Sequence, residues 1–336
     1  MKNWFKNIDS NLIRLLVITM IVFIIMAALV PSKFLTMRNI ESMSFQFPEL
    51  GLLSIAIMIT MLTGGIDLSV VGIANLSGIF MALIFTKVIP EGTSGFPMFL
   101  YIIMGIIVGV STGAFAGYLN GLLIAKVGIT PILATLGTMQ LFTGMAVVIT
   151  KGFAISGFPE AFLIIGNSKI LFVSFPLFIF ILTTAGISIL LSKTSLGINL
   201  YLIGTNEKAA VFSGIKKSQV LIKSYMLSGI LGGITGVIMI ARTNSAKADY
   251  GSSYVLQAIL VSVLGGVNPA GGFGKVIGVV IAVLALQFLS SGFSMLRFSN
   301  FAKEFIWGAF LLFIMVLNFV QNRKAAKNIV KKEDSK

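Results

Sequence analysis

A carboxylate, Asp67, lies between two long apolar runs, residues 47–61 and 68–85. It follows a glycine pair, Gly64 and Gly65, which predicts a break between two helices. A charged group at membrane depth costs roughly 2.5–3.5 kcal/mol on insertion scales, so it usually faces a protein-lined cavity or an aqueous path. Non-helical backbone is tolerated at that depth only under the same condition. The segment therefore indicates the core of a transporter or channel.

Two compatible roles are open to Asp67. It can cap the following helix by accepting hydrogen bonds from the backbone N–H groups of Ser69 or Val70. It can also line a translocation path and bind substrate hydroxyl groups. Short polar side chains that could serve a polyol, or bond between helices, follow on the same helix: Ser69, Asn75 and Ser77.

A weak echo of this segment occurs late in the chain, in the stretch 264–268 with its own glycine pair, Gly265 and Gly266. Each glycine pair opens an interrupted helix in the sequence pattern. Paired interrupted hydrophobic segments point to the substrate path of a transporter. We therefore add both glycine pairs to the candidate pathway residues.

The composition is that of an integral membrane protein, with 57% hydrophobic and only 11% charged residues, against about 25% charged in soluble domains. The absence of cysteine and histidine excludes disulfides, thiol catalysis and Cys/His metal sites. The net charge of +14 could indicate nucleic-acid binding. However, lysine and arginine collect at the ends of apolar runs, as membrane topology requires, and we expect no nucleic-acid partner.

The predicted fold is an all-α polytopic transmembrane bundle of about ten spans, with a range of eight to eleven. A helical span needs about 20 apolar residues, and the first run reads as a retained span because no clear signal-peptidase site follows it. The second and eighth runs are short or interrupted by glycine, which favours half-helices. The candidates are 12–30, 46–63, 68–86, 98–125, 129–150, 170–191, 220–241, 253–267, 275–294 and 301–320.

No linker divides the chain, so residues 1–336 are predicted to form one membrane domain with a basic tail at 321–336. An even span count places both termini on the side richer in lysine and arginine, which is normally cytoplasmic. The fourth run carries glycine at every fourth position, which favours close helix packing. These glycines are Gly105, Gly109, Gly113, Gly117 and Gly121.

The loop 192–218 is the one long internal segment of soluble character. Thr205 or Asn206 can cap a short helix within it, and Gly214 can end that helix. The small residues Ala209 and Ala210 suit a helix that docks in a partner's groove. A solvated loop helix without a partner is the alternative.

Taken together, these segments resemble the ribose-type, or simple-sugar, permease family of ABC importers. Residues 207–215 resemble the coupling segment of such permeases. The sequence departs from the family's pattern at Val71 and at Asn268-Pro269. These departures affect the prediction of the substrate and leave the prediction of the family unchanged. The matching stretches are 64–69, 120–121, 130–131, 134–137, 204–210, 213–215, 264–266 and 271–272.

The resemblance implies which residues carry function. It adds Asn120 to the pathway set of Gly64, Gly65, Asp67, Ser69, Asn75, Ser77, Gly265 and Gly266. It assigns ATPase coupling to Asn206, Glu207, Lys208, Ala209, Ala210, Phe212, Ser213 and Gly214.

The resemblance also implies partners: a second permease copy or paralogue, an ATPase subunit with two nucleotide-binding domains, an extracytoplasmic solute-binding protein and membrane lipid. The chain lacks the Gly-x-x-x-x-Gly-Lys-Ser/Thr phosphate loop, so ATP is expected on the partner and no cofactor on this chain. We therefore predict a transporter subunit, not an enzyme, in the bacterial cytoplasmic (inner) membrane. Its cargo is a monosaccharide such as ribose, with autoinducer-2 or nucleosides as alternatives.

A secondary transporter is the rival from another class. The spans carry no carboxylate ladder or histidine relay, which disfavours a proton-driven carrier. Asp67 also has no second buried carboxylate near it in the sequence pattern, which disfavours an intramembrane enzyme.

Overall fold

The computed structural model describes residues 10–170 and 173–333, and this part of the chain is almost entirely helical. A π-helical turn continues α4 through Ile84–Val88, and another continues α5 through Leu123–Val127. The helices are α1 Ser10–Leu29, α2 Pro31–Phe34, α3 Met37–Met61, α4 Val70–Leu83, α5 Gly95–Leu122, α6 Pro131–Thr150, α7 Glu160–Asn167, α8 Phe175–Lys193, α9 Ser195–Thr205, α10 Glu207–Phe212, α11 Lys217–Thr243, α12 Tyr254–Leu264, α13 Val276–Met295 and α14 Asn300–Glu333.

Four two-residue strands accompany the helices in the described ranges. They form two antiparallel pairs, each too short to be a layer of the fold. The strands are β1 Ile155–Ser156, paired with β4 Ser245–Ala246, and β2 Lys169–Ile170, paired with β3 Val173–Ser174.

The predicted all-α membrane bundle is confirmed. In the described ranges, eight helices are long and apolar enough to cross a membrane, with α4 and α5 taken together with their π-helical continuations: α1, α3, α4, α5, α6, α8, α11 and α13. The eighth predicted run is the short helix α12 of 11 residues, as expected for a half-helix. The tenth run lies in α14, which continues into the predicted tail 321–336; residues 334–336 lie outside the described part.

Two expectations about helix lengths need correction. The second run was expected to be short, but α3 has 25 residues. It starts before the apolar run because Thr36 caps it, accepting a hydrogen bond from the backbone N–H of Asn39 at 3.3 Å. The segment 192–218 holds α9 as well as α10, since Thr194 caps α9 by accepting from the N–H of Gly197 at 3.3 Å.

Helices α3 and α11 form the centre of the bundle. The side chains of α3 are buried from Phe47 to Met61, and α11 packs against α3, α4 and α5. By contrast, α1 packs on α13 and leaves most of its apolar surface exposed. Because exposed apolar surface suits a lipid environment, α1 lies at the periphery of the bundle.

Glycines let α5 and α11 approach closely, as their spacing predicted. A Cβ atom added to Gly113 would meet the carbonyl oxygen of Gly229, and one added to Gly117 would meet that of Tyr225. Gly105 instead lies against the ring of Phe85. The glycine face therefore joins two helices of the same chain, and we call the α5–α11 contact the glycine seam.

One end of the bundle carries α10, and we call it the α10 end. There the backbone N–H of Gly272 donates to the carbonyl oxygen of Leu62 at 2.9 Å. The hydroxyl of Tyr201 on α9 donates to the carbonyl oxygen of Gly274 at 2.7 Å. The loops after α3 and α12 and the helix α9 thus meet at this end.

The opposite end carries both strand pairs, and we call it the hairpin end. Lys169 forms an ion pair with Glu41 at 2.7 Å. The hydroxyl of Ser291 on α13 donates to the amide oxygen of Asn39 on α3 at 2.7 Å. These contacts place the start of α3 and the end of α13 together.

Candidate functional site

Asp67 is fully buried between α3 and α4, and its carboxylate accepts three hydrogen bonds. Oδ1 accepts from the backbone N–H of Ser69 at 3.0 Å and from its hydroxyl at 2.6 Å. Oδ2 accepts from the hydroxyl of Ser228 on α11 at 2.7 Å. Because α4 begins at Val70 with Ser69 as its N-cap residue, the bond from the Ser69 N–H closes the turn before the helix, and Asp67 is not itself the N-cap. The carboxylate also ties the break between two helices to α11.

Asn120 on α5 extends this network. Its amide nitrogen donates to the hydroxyl oxygen of Ser69 at 2.7 Å, so Asp67, Ser69 and Asn120 lie together as one buried cluster. The hydroxyl of the buried Tyr225 lies against Gly65. Within the described residues, that hydroxyl and the amide oxygen of Asn120 have no hydrogen-bond partner. Such buried atoms can accept or donate to a small hydroxylated molecule.

The two glycine pairs are brought together at the α10 end. Gly64 has a φ of +79°, which favours glycine, and a Cβ atom there would lie 3.2 Å from the carbonyl oxygen of Ala270. Gly265 packs against Val279 of α13, and Gly266 has a φ of +85°. Gly64 of the first pair therefore touches the loop that follows the second pair.

Asn75 and Ser77 lie apart from the Asp67 cluster. The amide nitrogen of Asn75 donates to the carbonyl oxygens of Ala248 at 3.0 Å and Tyr250 at 2.9 Å. Asn75 thus holds the non-helical segment between α11 and α12. Ser77 is buried, and its hydroxyl has no partner within the described ranges. The predicted polar pathway residues therefore divide into two structural groups.

A second buried carboxylate, Glu49, was missed in the sequence. It lies on α3 with 1% of its side chain exposed and forms a two-pronged ion pair with Arg242 near the end of α11. The Nε–Oε1 distance is 2.7 Å and the Nη2–Oε2 distance is 3.0 Å. The signal was available, because Glu49 stands inside the apolar run 46–63 and Arg242 directly follows the run 220–241.

The predicted coupling segment folds, as expected, into a short capped helix, α10. The side chain of Asn206 accepts from the backbone N–H of Ala209 at 3.0 Å. Gly214, with a φ of +85°, ends the helix. Ala210 is buried, whereas Phe212 is 92% exposed. The helix is thus anchored on one face and offers an aromatic side chain on the other.

The ends of α10 carry the other predicted coupling residues. Glu207 forms an ion pair with Lys217 of α11 at 2.6 Å. The hydroxyl of Ser213 donates to the carbonyl oxygen of Ala209 at 2.9 Å. Lys208 and Ala209 are exposed. The pair between Glu207 and Lys217 joins α10 to the first turn of α11.

We predict that Asp67→Asn assembles like the wild type, because an amide oxygen can still accept from Ser69. Asp67→Ala should melt earlier, since the buried hydroxyls of Ser69 and Ser228 lose their acceptor, at a cost of about 1–3 kcal/mol. Thermal unfolding in detergent, followed by size-exclusion chromatography, measures both variants. Equal melting temperatures for the Asn and Ala variants would contradict this role.

A separate prediction concerns the ion pair. Arg242→Leu leaves the Glu49 carboxylate buried without its partner and should cost about 3–5 kcal/mol. The double variant Glu49→Leu, Arg242→Leu should regain much of that stability. As a control, Lys169→Leu breaks a surface pair and should cost about 0–1 kcal/mol. A double variant no more stable in thermal melting than the single one would show that the pair does not act as a unit.

Comparison with known proteins finds relatives that span most of the chain. Residues 39–315 match the family described as "Branched-chain amino acid transport system / permease component". The ribose import permease protein of Bacillus subtilis (strain 168) is 36% identical over 300 residues, covering 88% of this chain and 89% of the relative. The autoinducer 2 import system permease protein of Escherichia coli (strain SMS-3-5 / SECEC) is 32% identical over 314 residues, covering 92% and 91%.

A further relative is the autoinducer 2 import system permease protein of Yersinia enterocolitica serotype O:8 / biotype 1B. It is 31% identical over 291 residues, covering 85% of each chain. No solved structure matches the chain. The extent of the family match and the identities over most of the chain show that this multi-pass membrane protein belongs to the branched-chain amino acid transport system permease family.

Proposed function

We propose that this chain is the membrane-spanning permease subunit of an ABC importer that carries a monosaccharide such as ribose into a bacterial cell. The observation that carries the proposal is the 36% identity to a ribose import permease over 88% of the chain. The relatives that import autoinducer 2, at 31% and 32% identity, support that furanosyl solute as the second candidate cargo. The chain is a transporter subunit, not an enzyme.

The α10 end faces the cytoplasm in this proposal, and the protein lies in the cytoplasmic membrane. The support is charge, because basic residues beside membrane spans are normally cytoplasmic. Lysines collect in the segment 192–218 and at the start of α11, and the basic tail 321–336 lies beyond the last apolar run. Both termini are then cytoplasmic, and the hairpin end faces the solute-binding protein outside.

A separate ATPase subunit with two nucleotide-binding domains supplies the energy, and α10 docks into it. The helix has the properties that docking requires: a side-chain cap at Asn206, a buried anchor at Ala210 and the exposed Phe212. A second permease copy or a paralogue completes the membrane part of the importer.

Helix α11 is the element that can carry a movement of α10 into the membrane. Its first turn holds Glu207 of α10 through Lys217. Further along, Ser228 holds the Asp67 carboxylate, and near its end Arg242 holds Glu49 of α3. A displacement of α10 by the ATPase would therefore reach both buried polar groups through one rigid helix.

The first functional prediction is that transport depends on the separate ATPase. The chain alone, purified into lipid nanodiscs, should hydrolyse ATP at the background rate of empty nanodiscs. Proteoliposomes that also contain the ATPase and the solute-binding protein should take up D-ribose or autoinducer 2 only when ATP is supplied. Robust hydrolysis by the isolated chain, or no ATP-driven uptake of either solute by the complete complex, would contradict the proposal.

The second functional prediction concerns α10. Ala209→Trp enlarges an exposed small residue at the proposed contact, and overpacking typically costs about 1–3 kcal/mol. Gly214→Pro is incompatible with a positive φ. Both variants should insert normally but lose ATPase binding or uncouple hydrolysis from uptake. The control Ala185→Trp changes an exposed alanine on α8, away from α10, and should remain coupled.

Cross-linking is an independent test of the same contact. It can be made site-specific because the chain has no native cysteine. A cysteine at the exposed Phe212 should cross-link to cysteines in the ATPase, whereas one at the buried Ala210 should not. If both substitutions leave coupled transport at the wild-type level and no position from Asn206 to Gly214 cross-links, α10 is not the coupling element.

A further inference from the structure

The segment between α11 and α12, residues 244–253, contains no helix, and its only regular structure is the short strand β4. It is rich in polar residues that no function assigned above uses. Its depth in the membrane, its exposure and its supports can each be worked out from contacts with neighbouring helices.

The contact with α4 gives a first measure of depth. Asn75 bonds to the carbonyl oxygens of Ala248 and Tyr250, and it lies five residues after Val70, the start of α4. The carbonyl oxygen of the preceding residue, Ala74, lies against Gly236 of α11, which is seven residues before the end of α11 at Thr243. At 1.5 Å per residue, Asn75 and residues 248–250 therefore lie about 10 Å inside the hairpin end of α11.

The contact with α3 gives a second, independent measure. The hydroxyl of Tyr254, the first residue of α12, lies 3.5 Å from Oε2 of Glu49. Glu49 is the middle residue of α3, which runs from Met37 to Met61, so it lies about 18 Å from each end of that helix. Glu49 also binds Arg242, one residue before the end of α11, so both measures place the segment inside the bundle on the side of the hairpin end.

At this depth, charged side chains of the segment are exposed. Lys247 and Asp249 form an ion pair of 3.1 Å, with 41% and 62% of their side chains exposed, respectively. Ser252 is exposed as well. Charged groups inside a membrane face a water-filled cavity or a bundle interior, not lipid. Non-helical backbone at membrane depth obeys the same rule.

The backbone beneath these side chains is firmly held. Ala246 and Ala248 are buried, β4 pairs with β1, and the side chain of Asn244 accepts from the backbone N–H of Phe158 at 3.0 Å. A surface that recognises a ligand needs such support, because fixed polar groups lose less conformational freedom when they bind. The exposed polar groups thus stand on a rigid base.

We propose that residues 247–252, which we call the intramembrane polar segment, line the translocation path and bind the hydroxyl groups of a neutral polyhydroxylated solute. The Lys247 ammonium donates hydrogen bonds and the Asp249 carboxylate accepts them, so the pair offers both partners that a hydroxyl group needs. Because the pair is neutral overall, it suits an uncharged solute. This inference rests on the proposed function and adds the residues that meet the cargo.

Cysteine accessibility tests whether the segment faces water. Asp249→Cys and Ser252→Cys are introduced singly into the assembled complex and treated with a membrane-impermeant thiosulfonate reagent, with and without ATP. Leu182→Cys, at an exposed apolar position midway along α8, is the lipid-facing control. We expect labelling of the two segment cysteines at least tenfold faster than the control in one nucleotide state. Labelling at the control rate in both states would overturn the proposal.

Uptake tests the contact with hydroxyl groups. The double variant Lys247→Gln, Asp249→Asn should lower ATP-driven D-ribose uptake at least tenfold in a complex that still assembles. The matched control Glu41→Gln, Lys169→Gln removes a comparably exposed ion pair at the hairpin end and should transport normally. Unchanged uptake in the first variant would overturn the hydroxyl contact, even if the segment is accessible to water.

The two experiments separate this inference from the proposed function. If the wild-type complex takes up neither D-ribose nor autoinducer 2, the proposed function fails, yet the labelling rates still report whether the segment lines an aqueous path. If uptake is normal and the segment cysteines are labelled no faster than the control, the proposed function stands and this inference fails.

Discussion

The polar groups inside this bundle must be satisfied by the protein itself, because lipid offers no hydrogen bonds. Two breaks in the helices and two carboxylates make this requirement severe. The first break is held by Asp67, which accepts from Ser69 and Ser228. The second break, the non-helical segment 244–253 between α11 and α12, is held by Asn75. The arrangement of the central helices follows from these bonds, since each one joins a break to a neighbouring helix.

Helix α11 takes part in most of these joints. It meets α5 along the glycine seam, binds Asp67 through Ser228, and binds Glu49 through Arg242. At its other end, Lys217 is bonded to α10. A helix fixed at so many points along its length moves as a unit. The proposed coupling between the ATPase and the buried polar groups of the bundle depends on that rigidity.

Much of this architecture could be predicted from sequence, because long apolar runs identify membrane helices. Asn206 and Gly214 marked the ends of α10 through local capping chemistry, which needs no tertiary contact. The four-residue glycine spacing likewise predicted a close helix contact. Its partner within the same chain could not be derived, since spacing describes one helix face and not what lies against it.

The features that could not be predicted from the sequence are those that depend on residues far apart in the chain. Glu49 and Arg242 lie 193 positions apart, and neither residue alone indicates an ion pair. Asn75 was identified as a polar residue on a helix, but its role in holding residues 248–250 exists only in the folded chain. The start of α3 was predicted too late because a hydropathy pattern does not register a capped polar first turn.

The central claim is that α10 and the intramembrane polar segment are linked mechanically through α11. Hydrogen–deuterium exchange of the assembled complex in nanodiscs, with and without a non-hydrolysable ATP analogue, tests it most directly. The account predicts that the nucleotide changes amide exchange in residues 207–215 and in residues 247–252, while the glycine seam stays protected in both states. A change confined to residues 207–215, with identical exchange in residues 247–252, would contradict it.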